Sequence, residues 1–322
     1  MDQQRFRRNQ FLVVGRAGMD LYADPPGSTI ENAKAFQSAL GGSAANIAAG
    51  ICRLGGQASL LTAVSDDAVG RYICAQLADY GIDARFVVIV KGEPRASLAV
   101  VETRADNCQS VIYRNNAADL QLSGQHTGHV NLEDFGALIV TGTALAMEPS
   151  RSAVFDLLHR ANLAKIPVVI DLDYRPYSWT SNGEAKRICL QIADLADIIV
   201  GNDVEFDLIA GTKGGGLELA NQLATKPGVI AIHKLGERGS VTFFNGGVFE
   251  LPVFPVVALK PTGAGDAFLA GFCTAFASGH SVHEALRQGS AAAAIVVTRV
   301  GCAPASPTAQ ELSAFLATQT AN

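Results

Sequence analysis

Charge and aromatic side chains are scarce in this 322-residue sequence: 17% of residues are charged, 7% are aromatic, and there is one Trp. Long apolar runs are missing as well. The longest charge-free stretches, 35–52 and 267–283, are broken by Gly, Ser and other polar residues. Neither resembles a spanning segment of about 20 apolar residues, so no membrane partner is expected. A field of positive charge is absent, with 25 Lys and Arg against 30 Asp and Glu and a net charge of −5. The one basic cluster is Arg5, Arg7 and Arg8, so no nucleic-acid partner is expected. No CxxC occurs among the six Cys at 52, 74, 108, 189, 273 and 302. They read as reduced thiols of a cytoplasmic protein. After Arg8 the apolar run is only Phe11 to Val14, too short for a secretory leader. There is no GxxxxGK[ST], which excludes a P-loop. The first strand is followed by Gly15-Arg16-Ala17-Gly18 and not by GxGxxG, which argues against a Rossmann dehydrogenase.

What is present is 48% apolar residues, enough for a sizeable core and too many for a disordered chain. Residues 11–15 form a short buried strand. Gly41–Gly56 opens a helix whose apolar positions Ala44, Ile47, Ala48, Ile51 and Leu54 recur at spacings of three and four. Ser43 is its expected N-cap and Gly55 its C′ residue. A strand (58–64), a helix (67–80) and three β-like segments (85–90, 97–103, 108–114) follow. From about 137, strands at 137–142, 168–173, 197–201 and 229–233 alternate with helices at 150–163, 184–194, 202–210 and 216–225. Such alternation predicts a parallel sheet covered on both faces. Segments 240–244 and 247–251 predict a hairpin around Asn245-Gly246-Gly247. Helices at 264–278, 282–298 and 309–318 end the chain. The expectation is one α/β domain over 1–322, with a small β excursion from residues near 20–40 and 85–115.

The segment richest in chemistry is Lys260-Pro261-Thr262-Gly263-Ala264-Gly265-Asp266, which runs straight into an apolar helix. Small residues let backbone N–H groups face outward, and a helix N-terminus adds positive potential, so the turn suits an oxyanion or phosphate. Asp266 falls in the first helical turn. A carboxylate there serves a substrate hydroxyl as base, or it merely caps the helix; these residues alone favour neither.

Taken together, the motifs resemble the ribokinase-like, PfkB-family carbohydrate kinases over nearly the full length. The resemblance rests on Gly41-Gly42-Ser43-Ala44-Ala45-Asn46, on Asn202-Asp203-Val204-Glu205 and on Lys234-Leu235-Gly236-Glu237-Arg238-Gly239. It also rests on Gly263-Ala264-Gly265-Asp266 and on the late helix 290–299. Within that family, Gly15–Tyr22, Tyr113–Leu120, Gly142–Ala146 with Pro149-Ser150-Arg151, and Asp171–Trp179 are similar to a subfamily of myo-inositol catabolism whose acceptor is a sugar acid.

The resemblance implies an α/β ribokinase-like fold, a central mostly parallel sheet flanked by helices, with a small β lid that often pairs two subunits into a homodimer. It implies ATP and Mg²⁺ as cofactors and a small-molecule sugar acid as partner. Asp266 becomes the base, and the N–H groups of Gly263, Ala264 and Gly265 hold the transferring phosphoryl. Asp20, Gly42 and Asn46 bind sugar hydroxyls, an acceptor-only carboxylate at Asp20 being suited to a polyol. Asn202, Lys234, Gly236 and Gly239 lie along the nucleotide, and Glu205 acts through water on Mg²⁺. Arg16, Arg95, Arg114 and Arg175 stand in or near cleft-facing segments, and the acid group of the acceptor calls for such a side chain, Arg16, Arg114 and Arg175 above all. Other readings are a kinase for 2-keto-3-deoxygluconate, fructose or ribose, or a silent sugar- or nucleotide-binding regulator on the same fold.

The chain departs from the family pattern in places. The C-terminal motif begins Lys260-Pro261 where Asp-Thr is usual, Lys234 replaces a Thr, and Ser290 replaces an Asn. Several conspicuous residues have blander readings. His126/His129 and His280/His283 are HxxH pairs without further ligands at a metal spacing. Asp66-Asp67 reads as a helix start, Gly214–Gly216 as a flexible connection, and Trp179 as packing.

Overall fold

A computed structural model describes residues 3–319. Among these the strands are β1 Gln10–Val14, β2 Gly18–Asp24, β3 Ala35–Gly41, β4 Gln57–Ser65, β5 Val87–Val90, β6 Ser97–Val101, β7 Ser110–Tyr113, β8 Ala137–Thr141, β9 Val168–Asp171, β10 Ile198–Asn202, β11 Ile230–Lys234, β12 Ser240–Phe244 and β13 Gly247–Leu251. The helices are α1 Gln3–Phe6, α2 Ser43–Arg53, α3 Ala68–Asp79, α4 Gly124–Gly128, α5 Ser150–Leu163, α6 Asn182–Asp194, α7 Asp203–Ala210, α8 Gly216–Leu223, α9 Ala264–Ala277, α10 Val282–Val297 and α11 Ala309–Gln319. The chain divides into two compact units. The first takes in the chain up to Val14 with Leu122–Val253, the second Gly15–Gln121 with the chain from Phe254 on.

In the first unit, β1, β8, β9, β10 and β11 run parallel side by side. β12 and β13 continue that sheet antiparallel. Every residue of β8 and β9 is buried, as continuous apolar runs such as Ala137–Val140 require when helices cover both faces. The hairpin joining β12 to β13 turns on Asn245 (φ 49°) and Gly246 (φ 76°), two left-handed residues in succession, as the Asn-Gly pair predicts.

The second unit holds a four-stranded sheet in the order β3-β2-β6-β7. Here one sequence expectation changes and another is met. Segment 87–90 leaves the β excursion and pairs parallel with β4, Thr62 to Ser65 against Val87 to Val90. The β excursion expected near 20–40 consists of two strands, β2 and β3, paired antiparallel from Gly18 opposite Gly41 to Asp24 opposite Ala35. α9 and α10 carry the core of this unit, with Leu269, Phe272, Ala292 and Val296 fully buried. Burying a side chain of Leu or Phe size contributes about 1.5–3 kcal/mol, so this helix pair anchors the turn that precedes α9.

Candidate active site

In the second unit, strand alternation places Gly18, Asp20 and Tyr22 of β2 on one buried face. Opposite them β3 ends at Gly41, where an added Cβ would lie 1.9 Å from Asp20 Oδ1. A side chain at 41 would therefore displace the Asp20 carboxyl. Gly42 has φ 96° and begins α2, so it is the N-cap in place of the expected Ser43. Its Cβ would meet the Arg16 carbonyl oxygen at 2.3 Å, which only glycine avoids. No side chain caps α2, whereas Gly55 (φ 88°) ends it as the sequence predicts.

Asn46, in the first turns of α2, donates from Nδ2 to Asp266 Oδ2 at 2.8 Å. That bond joins the two family motifs, 220 residues apart in sequence. Gly263 (φ 85°) is the N-cap of α9 and also lacks a capping side chain, and Asp266 lies in the first turn. Left-handed backbone at 263 and close approach of Cys302, whose Sγ would be 2.7 Å from a Cβ there, both demand glycine.

Around this pair lie buried polar groups with unused capacity. Asp20 accepts from the Tyr22 hydroxyl through Oδ2 at 3.0 Å, while its Oδ1 has no partner. Asn46 Oδ1 is likewise without one. Burial pushes the Asp20 carboxyl above its ordinary range, and the Arg16 guanidinium opposes that shift. Arg16 is itself 7% exposed. Among the described residues its guanidinium makes one hydrogen bond, from Nη1 to Ser97 Oγ at 3.1 Å.

Arg114 differs. It is buried in an ion pair with Asp119, its Nε 3.1 Å from Asp119 Oδ2. Asp119 was not singled out by sequence reasoning. The available signal was its place in the Tyr113–Leu120 segment, five residues after Arg114. Arg95 is exposed, and its Nη1 donates to the carbonyls of Gly92, Glu93 and Pro94.

In the first unit the C-terminal ends of β9, β10 and β11 gather a second group of polar residues. Asn202 caps α7 by accepting from Glu205 N at 3.0 Å, and Glu205 Oε2 accepts from Asn202 N at 2.7 Å. Glu205 Oε1 accepts from Tyr174 N at 2.9 Å. The NxxE element is thus a capping box with a third bond to the loop after β9. Lys234 Nζ lies 3.8 Å from Asp171 Oδ1. Arg175 pairs with Asp173 at 3.0 Å within this unit. Gly236 has φ 59° with open space where a Cβ would be. Gly239 is required by the chain itself, since its Cβ would meet Leu251 O at 2.0 Å.

Glu205 is 4% exposed. Burial pushes its carboxyl up to about 7, Lys234 opposing the shift and Asp171 reinforcing it. Between its ordinary 4.5 and about 7 the folded protein holds a proton that the unfolded chain has released. Stability contributed by this group therefore falls as pH rises through that window, by roughly 3–3.5 kcal/mol in total. Glu311, held down at about 2 by Thr308 and Arg299, titrates below the window. The difference in unfolding free energy between wild type and Glu205→Gln, from urea melts at pH 5 and pH 8, isolates the effect. The variant gains relative to wild type at pH 8. A difference independent of pH would show that Glu205 is ionised throughout.

No group of three or more His, Cys, Asp or Glu among the described residues is arranged to hold a metal. Both HxxH pairs have local roles: His126 Nδ1 accepts from Ser123 N, and His280 Nδ1 bonds with Ala275 O. Asp67 caps α3, accepting from Val69 and Gly70 N–H. The Gly214–Gly216 turn is tied down by Asp207, which accepts from the N–H groups of Gly214 and Gly216 at 2.8 and 2.9 Å. Trp179 is buried beneath the Arg151 guanidinium.

Comparison with known proteins gives this geometry a family. Residues 8–309 match the pfkB family of carbohydrate kinases. A 5-dehydro-2-deoxygluconokinase from Photobacterium profundum is 35% identical over 321 residues, covering 98% of this chain and 97% of its own. The protein of the same name from Bacillus subtilis is 33% identical, covering 96% of each. In structure, a fructokinase of Xylella fastidiosa with bound ATP superposes with a TM-score of 0.86 at 23% identity, over 97% of this chain and 99% of its own. The chain belongs to the pfkB family of carbohydrate kinases, and its α/β fold is ribokinase-like.

Proposed function

We propose that the protein transfers the γ-phosphoryl of ATP to a hydroxyl of a sugar acid, 5-dehydro-2-deoxy-D-gluconate, with Asp266 as general base. The observation that carries the reading is the Asn46–Asp266 bond in the unit that also buries Arg16 and the unsatisfied acceptors Asp20 Oδ1 and Asn46 Oδ1. Hydroxyl donors of a polyol satisfy those acceptors, and a carboxylate satisfies the guanidinium. Asn46 orients the Asp266 carboxylate, which takes the proton of the attacking hydroxyl. The N–H groups of Gly263, Ala264 and Gly265 meet charge on the transferring phosphoryl. Phosphoryl transfer needs little more than such positioning and charge stabilisation.

Asn202, Lys234, Gly236 and Gly239 are assigned to the nucleotide. The second group of residues fits a magnesium nucleotide in its chemistry. Its acidic donors are all oxygen, and without a protein cage the cation keeps several waters and binds mainly to phosphates. Glu205, with both oxygens already accepting backbone N–H groups, acts on it through water. Bound Mg²⁺ neutralises phosphate charge. Pairing of two subunits through the four-stranded sheet is part of the same reading. Phe36, Val111 and Tyr113, which lie on its outer strands and are 42%, 44% and 59% exposed, support it.

An acceptor screen with purified protein, ATP and Mg²⁺ tests the proposal. The kcat/KM for 5-dehydro-2-deoxygluconate exceeds that for 2-keto-3-deoxygluconate, fructose and ribose. A preference for fructose or ribose would reject the sugar acid. No turnover with any acceptor would point to a silent binding protein.

A further inference from the structure

Among the described residues Lys260 is the largest charged side chain completely withdrawn from solvent: it is 0% exposed. No carboxylate lies within ion-pair distance among the described residues, and its one hydrogen bond runs from Nζ to the carbonyl oxygen of Thr262. Burying an ammonium against a single neutral acceptor is costly, so its position calls for a compensating role. Burial pulls its pKa down, while Cys302 and Cys108, and after them Asp266 and Asp20, favour the charged form.

The acceptor it chooses is informative. Thr262 O belongs to the peptide group whose nitrogen is that of Gly263. In a trans peptide the C=O and N–H are fixed in one plane and point in opposite directions. A donor clamped on the Thr262 carbonyl therefore fixes the direction of the Gly263 N–H. Gly263 lies at φ 85° and glycine resists no rotation of its own, so the direction needs an outside restraint. The Thr262 hydroxyl does not supply one, since its Oγ1 is buried without a partner. A charged donor on the carbonyl also polarises the peptide and strengthens its N–H as a donor.

We propose that Lys260 is a positioning residue for phosphoryl transfer: its buried ammonium holds the Thr262 carbonyl and thereby aims the Gly263 N–H at the transferring group. This rests on the kinase reading above, in which that N–H meets the phosphoryl. Lys260 also lies close enough to Asp266 for the two charges to attract.

Three substitutions separate aim from bulk. Lys260→Met keeps the length and apolar stem but removes the donor, Lys260→Arg keeps donor and charge, and Lys260→Ala opens space for an added amine. Losing one preorganised donor to a developing oxyanion costs about 10²–10³ in turnover. Lys260→Met accordingly loses about that factor in kcat with KM for the sugar acid unchanged. Lys260→Arg regains part of it, and methylammonium chloride raises kcat of Lys260→Ala but not of wild type.

Wild-type kcat in a folded Lys260→Met, or a rise in KM alone, would overturn the proposal while leaving the kinase reading intact. Absence of turnover in wild type with every acceptor would instead overturn that reading. Should the variants not fold, the amide of Gly263 in ¹⁵N-labelled wild type decides. Adding ADP, Mg²⁺, aluminium fluoride and the sugar acid shifts its proton resonance downfield, and an unmoved resonance would reject the role.

Discussion

Asp266→Asn lowers kcat by about 10²–10⁴, the usual contribution of a general base, while the dissociation constant for the sugar acid changes little. The asymmetry follows from the bonds Asp266 makes. The amide oxygen of Asn still accepts from Asn46 Nδ2, so the 2.8 Å contact and the start of α9 survive. What is lost is a site for the proton of the attacking hydroxyl. Steady-state turnover with ATP, together with calorimetric titration of the sugar acid alone, reads the two quantities separately. Near-normal turnover would mean that Asp266 is a structural partner of Asn46 and not the base. Asn46→Ala is the companion variant: it leaves the base in place but unoriented, and its loss in kcat is smaller than that of Asp266→Asn.

A second large effect is expected at Arg16, in selectivity. Arg16→Met lowers kcat/KM for a sugar acid by about 10–150-fold, the equivalent of losing a charge-assisted hydrogen bond worth roughly 1.5–3 kcal/mol. Fructose and ribose, which carry no carboxylate, lose little. Arg16 is chosen over the other arginines by its surroundings. Arg114 is engaged by Asp119, and Arg175 by Asp173. Arg16 is buried with a single hydrogen bond, to Ser97. Arg16→Lys keeps the charge but not the planar fork, so it recovers only part of the loss. Equal losses for acid and neutral sugars would show that Arg16 supports the fold near Gly42 and does not read the acceptor.

The small sheet shows how sequence patterning runs out. Segments 97–103 and 108–114 are legible as β-like runs in the sequence. The region of β2 and β3 is legible only as an excursion near 20–40 without strand bounds, since Asp20 and Gly18 occupy the buried face that apolar residues normally mark. Polar residues were placed inward there, so the periodicity that reveals a strand is inverted at the very positions assigned to the acceptor. The same applies to Glu205: the NxxE spacing predicts its neighbourhood, but the N–H of Tyr174, which takes its second oxygen, comes from a loop 31 residues away.

The alternation of apolar runs and amphipathic helices after residue 137, the hairpin at Asn245-Gly246 and the glycine turn before α9 are local properties, and the sequence alone determines them. Local energetics suffice there, because side-chain periodicity and backbone sterics act within a few residues. The sequence also determines that Asn46 and Asp266 are candidate partners of the chemistry, through two motifs with a shared family pattern. That these two side chains meet at 2.8 Å, that Asp119 occupies Arg114, and that Lys260 is sealed from solvent against Thr262 O were decided by tertiary structure. Each depends on contacts between groups brought together only by folding, or on a burial that no residue's own identity specifies. A lysine is read from sequence as exposed because water solvates its charge, and only the packing around it reveals that the charge was withdrawn.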